Sequence, residues 1–224
     1  MRVLLHGFLG DPSVWDGIAA PTDRAIALPG HGGGPVGATW DANIDAIAAQ
    51  LDGATTVVGY SLGARLAMGL LASHRIDRAI LISGNPGVAP EERAARLVSD
   101  EAWARRFESE PLGDVVDAWE AQPLFASQKR VASERLAARR QRRLSHDPHQ
   151  LARAMGAISV ATMPDYRSVI TAESTACIIG ADDAKYVAIA RALPARIIVI
   201  PGAGHDVLLE APHAVRDALE SIEW

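Results

Sequence analysis

Gly59-Tyr60-Ser61-Leu62-Gly63 fits the pattern G-x-S-x-G, with a strand-like run, Thr55 to Val58, before it and a helical pattern, Leu62 to Ser73, after it. A serine between a buried strand and a helix sits on a sharp, strained turn. The flanking glycines are needed there because side chains would strike neighbouring backbone. The turn lifts Oγ off the carboxyl end of the sheet, toward the positive end of the next helix. Five-residue patterns with two free positions also arise by chance; the strand-to-helix context is what distinguishes this one.

Serine is a weak nucleophile and needs a base. Of the seven histidines, His205 is best placed, because it follows the last strand-like run in the loop Pro201-Gly202-Ala203-Gly204. That gives the chain order Ser, then Asp or Glu, then His. His6 and His31 sit in glycine-rich loops before the serine and are expected to hydrogen-bond those turns. His74, His146, His149 and His213 read as helix-end or surface residues. The acid should follow the penultimate strand, where Gly180-Ala181-Asp182-Asp183 offers two candidates. Asp183 is preferred, Asp182 is the fallback, and the other of the two is expected to be a solvated loop or cap residue. An oxyanion hole needs two backbone N–H groups. Leu62, after the serine, supplies one. Phe8, in His6-Gly7-Phe8-Leu9-Gly10, is expected to supply the other, against the plainer reading of that segment as an ordinary tight turn.

The elements that must hold these groups alternate. Val3-Leu4-Leu5, Arg24 to Leu28, Thr55 to Gly59, Arg78 to Ser83, Ala176 to Gly180 and Arg196 to Ile200 are short apolar runs without alternation, as parallel strands buried on both faces are. Helical spacing lies between them at Asp41 to Leu51, Leu62 to Ser73, Ala184 to Leu193 and, finally, Ala211 to Ile222. The expectation is an α/β fold: a mostly parallel, doubly wound sheet of about six strands. From about residue 90 to 165 no strand pattern appears. That stretch is charged, Arg-rich and helical, and reads as a helical cap inserted into a single domain spanning 1–224.

The balance of 22 basic and 27 acidic residues, net charge −5, invites neither nucleic acid nor an anionic membrane. Cys177, the only cysteine, permits no intrachain disulfide and lies in an apolar run, as a small buried hydrophobe would. No secretory leader or membrane-length apolar run is evident, so the expected location is cytoplasmic. The sequence leaves the oligomeric state at monomer or small homo-oligomer.

Several segments together resemble the 2-succinyl-6-hydroxy-2,4-cyclohexadiene-1-carboxylate synthases, menaquinone-pathway members of the α/β-hydrolase superfamily. Leu5 to Gly10, Leu28-Pro29-Gly30-His31-Gly32 and Gly202-Ala203-Gly204-His205 are shared across that superfamily. Gly59 to Arg65, Asn85-Pro86-Gly87, Glu92 to Arg96 and Trp119 to Ser127 are more specific, above all an Arg four residues after the serine and Trp-x-x-Gln-Pro-Leu-Phe. One departure is Ala64, which stands where a glycine is usual. Another is a start at the strand before the oxyanion loop, without the strands that usually precede it. The resemblance implies an α/β-hydrolase fold and a lyase that removes a proton and then eliminates pyruvate, with the serine as a base activated by histidine and no metal or organic cofactor.

It also implies a small anionic substrate with three carboxylates. Substrate-carboxylate arginines map onto Arg65, Arg96 and Arg143, pocket residues onto Tyr60 and Trp119, and a further contact onto Gln122. Arginine binds carboxylate through two parallel N–H groups and stays charged, and Arg65 lies one helical turn from Ser61. Arg139, Arg140 and Arg142 compete with Arg143 for its assignment. From Lys129 to Arg143 there are seven basic residues and one acidic one, a candidate positive rim as well as a solvated helix face. Two other readings use the same serine: an esterase or C–C bond hydrolase, which would gain nothing from Arg65 beside its nucleophile, and a binding protein using the same crevice.

Overall fold

A computed structural model describes residues 1–224. Six strands form one sheet in the order β2-β1-β3-β4-β5-β6, and every neighbouring pair is parallel. They are β1 (Arg2–Leu5), β2 (Arg24–Ile26), β3 (Thr56–Tyr60), β4 (Arg78–Ile82), β5 (Thr175–Gly180) and β6 (Arg196–Ile200). The register pairs Leu5 with Gly59, Tyr60 with Ile82, and Gly180 with Ile200, so the carboxyl ends of the inner strands share one edge.

The apolar runs lack alternation because both faces are covered. Val3, Leu5, Val57, Ala79, Leu81, Cys177 and Ile179 belong to one buried cluster, which includes residues of α1 (Trp40–Ala48), α2 (Leu62–Ala72) and α7 (Ala184–Arg191). Leu4, Val58, Tyr60, Ile80, Ile82, Ala176 and Ile178 point the other way, toward Trp15, α8 (Val207–Glu210) and α9 (Pro212–Ser221). The order of connections reverses at β1, so the switch point between β1 and β3 opens a crevice at their carboxyl ends, the usual ligand position in such sheets.

Between β4 and β5 the chain forms no strand; its helices are α3 (Pro90–Ser109), α4 (Leu112–Glu120), α5 (Ser133–Leu144) and α6 (Pro148–Ala157), with 3-10 segments at Pro123–Arg130 and Arg167–Val169. Pro90 opens α3, and the Glu92 carboxylate accepts the Ala89 N–H at 3.3 Å, a start signal visible in the sequence. α3 packs on α6, and Phe107, Val115, Leu151, Ala152 and Met155 join Leu9 in a small third core. α5 inverts the usual pattern, for its buried residues are Arg139 and Arg143. The short α8 has no counterpart in the sequence reading: four residues are too few for a periodicity to register.

Candidate active site

Ser61 has φ 51° and ψ −104°, a strained conformation for a residue with a side chain. The turn tolerates it because its flanks have no Cβ. One on Gly59 would strike the Gly63 carbonyl, and one on Gly63 the Leu5 carbonyl. The Ser61 N–H donates to Ile82 O at 2.8 Å, and the Gly63 N–H donates to His6 O at 3.1 Å, tying the elbow to β4 and to the loop after β1. Ala64 is fully buried, in van der Waals reach of Gly84, so the small side chain fits.

His205 Nε2 lies 3.2 Å from Ser61 Oγ, and its Nδ1–H donates to Asp183 Oδ2 at 2.7 Å. The other Asp183 oxygen accepts the Tyr186 N–H at 3.3 Å, so one buried carboxylate both caps α7 and orients the imidazole. Asp182 is exposed and pairs with Arg130 at 2.5 Å. Ser83, buried at the end of β4, donates to His205 O at 2.9 Å and so fixes the histidine loop. Nothing in the sequence pattern marks it.

The loop after β1 is shaped by two buried histidines. The Leu28 N–H donates to His6 Nε2 at 3.1 Å, and the Nδ1–H of His6 donates to Gly7 O at 2.8 Å. The Leu9 N–H donates to His31 Nε2 at 3.1 Å, and His31 Nδ1–H to Pro29 O at 3.1 Å. Each ring thus needs one bare nitrogen. Burial lowers His6 to about 4 and His31 well below its usual value, which keeps them neutral. His146 lies just past the end of α5, as its helix-end reading expects, but is half-buried and packs edge-on to His31, ring centroids 5.4 Å apart. In the resulting loop the Phe8 N–H donates to no protein acceptor, and Phe8 borders the crevice in front of Ser61. Leu62 opens α2, with its N–H at the helix N-terminus beside Ser61.

The crevice in front of Ser61 has two lobes. Ser61, His205, Phe8 and Trp119 border both. The first lobe contains Tyr60, Arg139, Arg142 and Arg143. The second contains Arg65, Arg96, Gln122 and Tyr186. All six residues matched to substrate contacts by resemblance therefore surround one serine. Arg139 and Arg142 join Arg143 there; Arg140 does not, and instead binds Asp117.

In the run Lys129 to Arg143, open to reading as a positive rim or as a solvated helix face, ion pairs hold most of the arginines. Arg143 donates to Glu120 at 2.7 Å, Arg139 to Asp206 at 3.1 Å and to Gln128 at 2.8 Å, and Arg142 lies 3.5 Å from Asp11. These carboxylates come from distant sequence positions and offset most of the run. Arg96 donates to buried Asp100 at 2.8 Å, and Asp100 also accepts from Ser159 Oγ. Arg65 is the exception: its side chain donates to the Ile158 carbonyl at 2.8 Å and has no carboxylate partner. Burial, then Arg96, lowers it to about 10, which leaves it charged at neutral pH. No group of three or more His, Cys, Asp or Glu side chains is arranged to hold a metal ion.

The alpha/beta hydrolase family model matches residues 3–218. A 2-succinyl-6-hydroxy-2,4-cyclohexadiene-1-carboxylate synthase from Enterobacter sp. (strain 638) is 37% identical, over 98% of this chain and 90% of the relative. Its counterpart from Klebsiella pneumoniae is 36% identical over 98% of this chain and 92% of its own length. The chain belongs to this synthase family within the α/β hydrolases. Among solved structures, that of MenH from S. aureus superposes with a TM-score of 0.90 at 27% identity, covering 98% of this chain and 91% of that one. A thermophilic esterase from Thermogutta terrifontis superposes with a TM-score of 0.79 at 27% identity, covering 98% and 87%. The six-stranded parallel sheet flanked by helices agrees with the fold expected from the sequence. No helix is long and apolar enough to cross a membrane.

Proposed function

We propose that the chain eliminates pyruvate from 2-succinyl-5-enolpyruvyl-6-hydroxy-3-cyclohexene-1-carboxylate, giving 2-succinyl-6-hydroxy-2,4-cyclohexadiene-1-carboxylate for menaquinone biosynthesis in the cytoplasm. The observation that carries this reading is a charged Arg65 with no carboxylate partner, one helical turn from a serine that meets a histidine. A site for neutral esters would leave that guanidinium desolvated for nothing, at a cost of several kcal/mol.

The substrate's ketone acidifies the adjacent ring C–H. Ser61 Oγ passes its proton to His205 Nε2 and takes the ring proton, while Asp183 holds the imidazole in the right tautomer. The C–H electron pair enters the ring, the ring double bond shifts, and the C–O bond to the enolpyruvyl group breaks. The leaving enolate takes up a proton on carbon and becomes pyruvate. The Phe8 and Leu62 N–H groups stabilise the enolate oxygen that forms at the ketone. Arg65, Arg96 and Arg143 bind carboxylates, and Tyr60, Trp119 and Gln122 shape the pocket. Tyr60 is a phenol throughout, since burial and then Asp206 push its pKa well up. The helices over the crevice act as a cap.

The test is pyruvate release from enzymatically generated substrate, with the spontaneous reaction subtracted and a short-chain neutral ester assayed beside it. Release well above background with slow ester turnover supports the synthase. Fast ester turnover with background release would favour an esterase, the activity of the Thermogutta relative. Arg65→Ala should raise KM and lower kcat/KM for the tri-anion by about tenfold or more, from the loss of a charge-assisted contact, and spare the ester. Equal losses on both substrates would give Arg65 a structural role.

A further inference from the structure

Tyr186 stands three residues after Asp183, on the first turn of α7, so the backbone that caps the carboxylate also sets the phenol. Its ring lies against His205, centroids 4.5 Å apart at 60°, and borders the lobe that contains Arg65 and Arg96. The hydroxyl makes no hydrogen bond within the protein and is not sealed away from the cavity. Tyrosine hydroxyls in largely buried positions ordinarily find a partner. A guanidinium could donate to the phenol oxygen but cannot accept its proton, because arginine only donates, so the O–H still needs an acceptor. Burial raises the phenol's pKa, so it too is a donor at neutral pH. Asp100, in the same lobe, takes only the Nε–H of Arg96 and accepts from Ser159, so the rest of that guanidinium, Arg65 and the phenol leave a place for a further acceptor, and an anion suits all three.

We infer that the Tyr186 hydroxyl is a substrate-contact group, donating a hydrogen bond to a carboxylate held between Arg65 and Arg96. Its ring meanwhile limits the freedom of His205. The inference rests on the reaction proposed above only for its kinetic test, since a bound carboxylate can be measured without turnover.

Tyr186→Phe keeps the ring and deletes the donor. It should raise KM for the tri-anionic substrate about tenfold, the size of one hydrogen bond to a charged group, with kcat and its pH profile unchanged. Succinate, titrated into the protein by calorimetry as a dicarboxylate probe, should bind about tenfold more weakly. Tyr186→Leu, which also removes the ring, should lower kcat as well. Wild-type KM and succinate affinity in Tyr186→Phe would overturn the inference. A lower kcat with a displaced pH profile at unchanged KM would overturn it too, because the hydroxyl would then act through His205. If wild type releases no pyruvate above background, the proposed reaction fails, and succinate affinity alone decides the role of Tyr186.

Discussion

The loops that carry Ser61, Phe8 and His205 are held through their backbone groups, with Asp183 orienting the His205 ring. A left-handed serine sits between two glycines, a loop is folded around two neutral histidines, and a strand-end serine grips the carbonyl of His205. Arg96, Arg139 and Arg143, above the same crevice, are held by carboxylates on other elements. Backbone hydrogen bonds at the sheet edge need no partner from the crevice. Ion pairs in the helices can be exchanged for a substrate's own carboxylates at modest net cost, because each buried charge keeps a partner throughout. The sheet edge is thus suited to chemistry, and the helices to recognition of charge.

The two adjacent aspartates, one inside the site and one at the surface, should differ most. Asp183→Asn should lower kcat by about three orders of magnitude or more, since the amide permits the wrong imidazole tautomer. Asp182→Asn, at an exposed ion pair, should change kcat less than about twofold. Steady-state kinetics on both checks this, and similar losses would mean that the loop rearranges.

In the helices, Arg139→Ala strands Asp206 and Gln128 in a buried setting and should cost about 3–5 kcal/mol of stability. Arg139→Met with Asp206→Asn should recover much of it. Urea unfolding of the two proteins decides, and equal losses would show that packing rather than charge holds α5.

A smaller effect comes from pH. His6 binds its proton at about 6.5 when unfolded but only at about 4 when folded. The unfolded state therefore takes up more protons on acidification. The advantage of the neutral ring is complete above pH 6.5 and is lost as pH falls toward 4, roughly 3 kcal/mol in all. His31, lowered further, acts with the same sign. Melting temperature should fall steeply over that window, and His6→Gln should flatten the fall. An equal fall in His6→Gln would move the acid sensitivity elsewhere.

What could be read in advance follows the same division. Strands buried on both faces declare themselves as short apolar runs, and the elbow declares itself through glycines that nothing else can replace. The choice between Asp182 and Asp183 depends on how the loop turns after Gly180. There the Asp182 N–H donates to Ala203 O and the Asp183 N–H to Gly180 O, which sends the second side chain inward. Ser83, Asp206 and Tyr186 carry no pattern, because each acts through a neighbour distant in sequence or through a ring placed by a helix turn. The buried arginines of α5 were opaque for a further reason. Helical periodicity is read from apolar residues, and this helix turns its charges inward toward partners that only the folded chain supplies.

If Ser61 and His205 together form the base that starts the proposed elimination, loss of the Ser61 hydroxyl must abolish it. The most direct measurement is single-turnover pyruvate release by Ser61→Ala, on protein shown by circular dichroism and melting temperature to be folded as the wild type. Release at the spontaneous rate is the predicted result. Release near the wild-type rate from a folded variant would contradict the account and move the chemistry off the elbow.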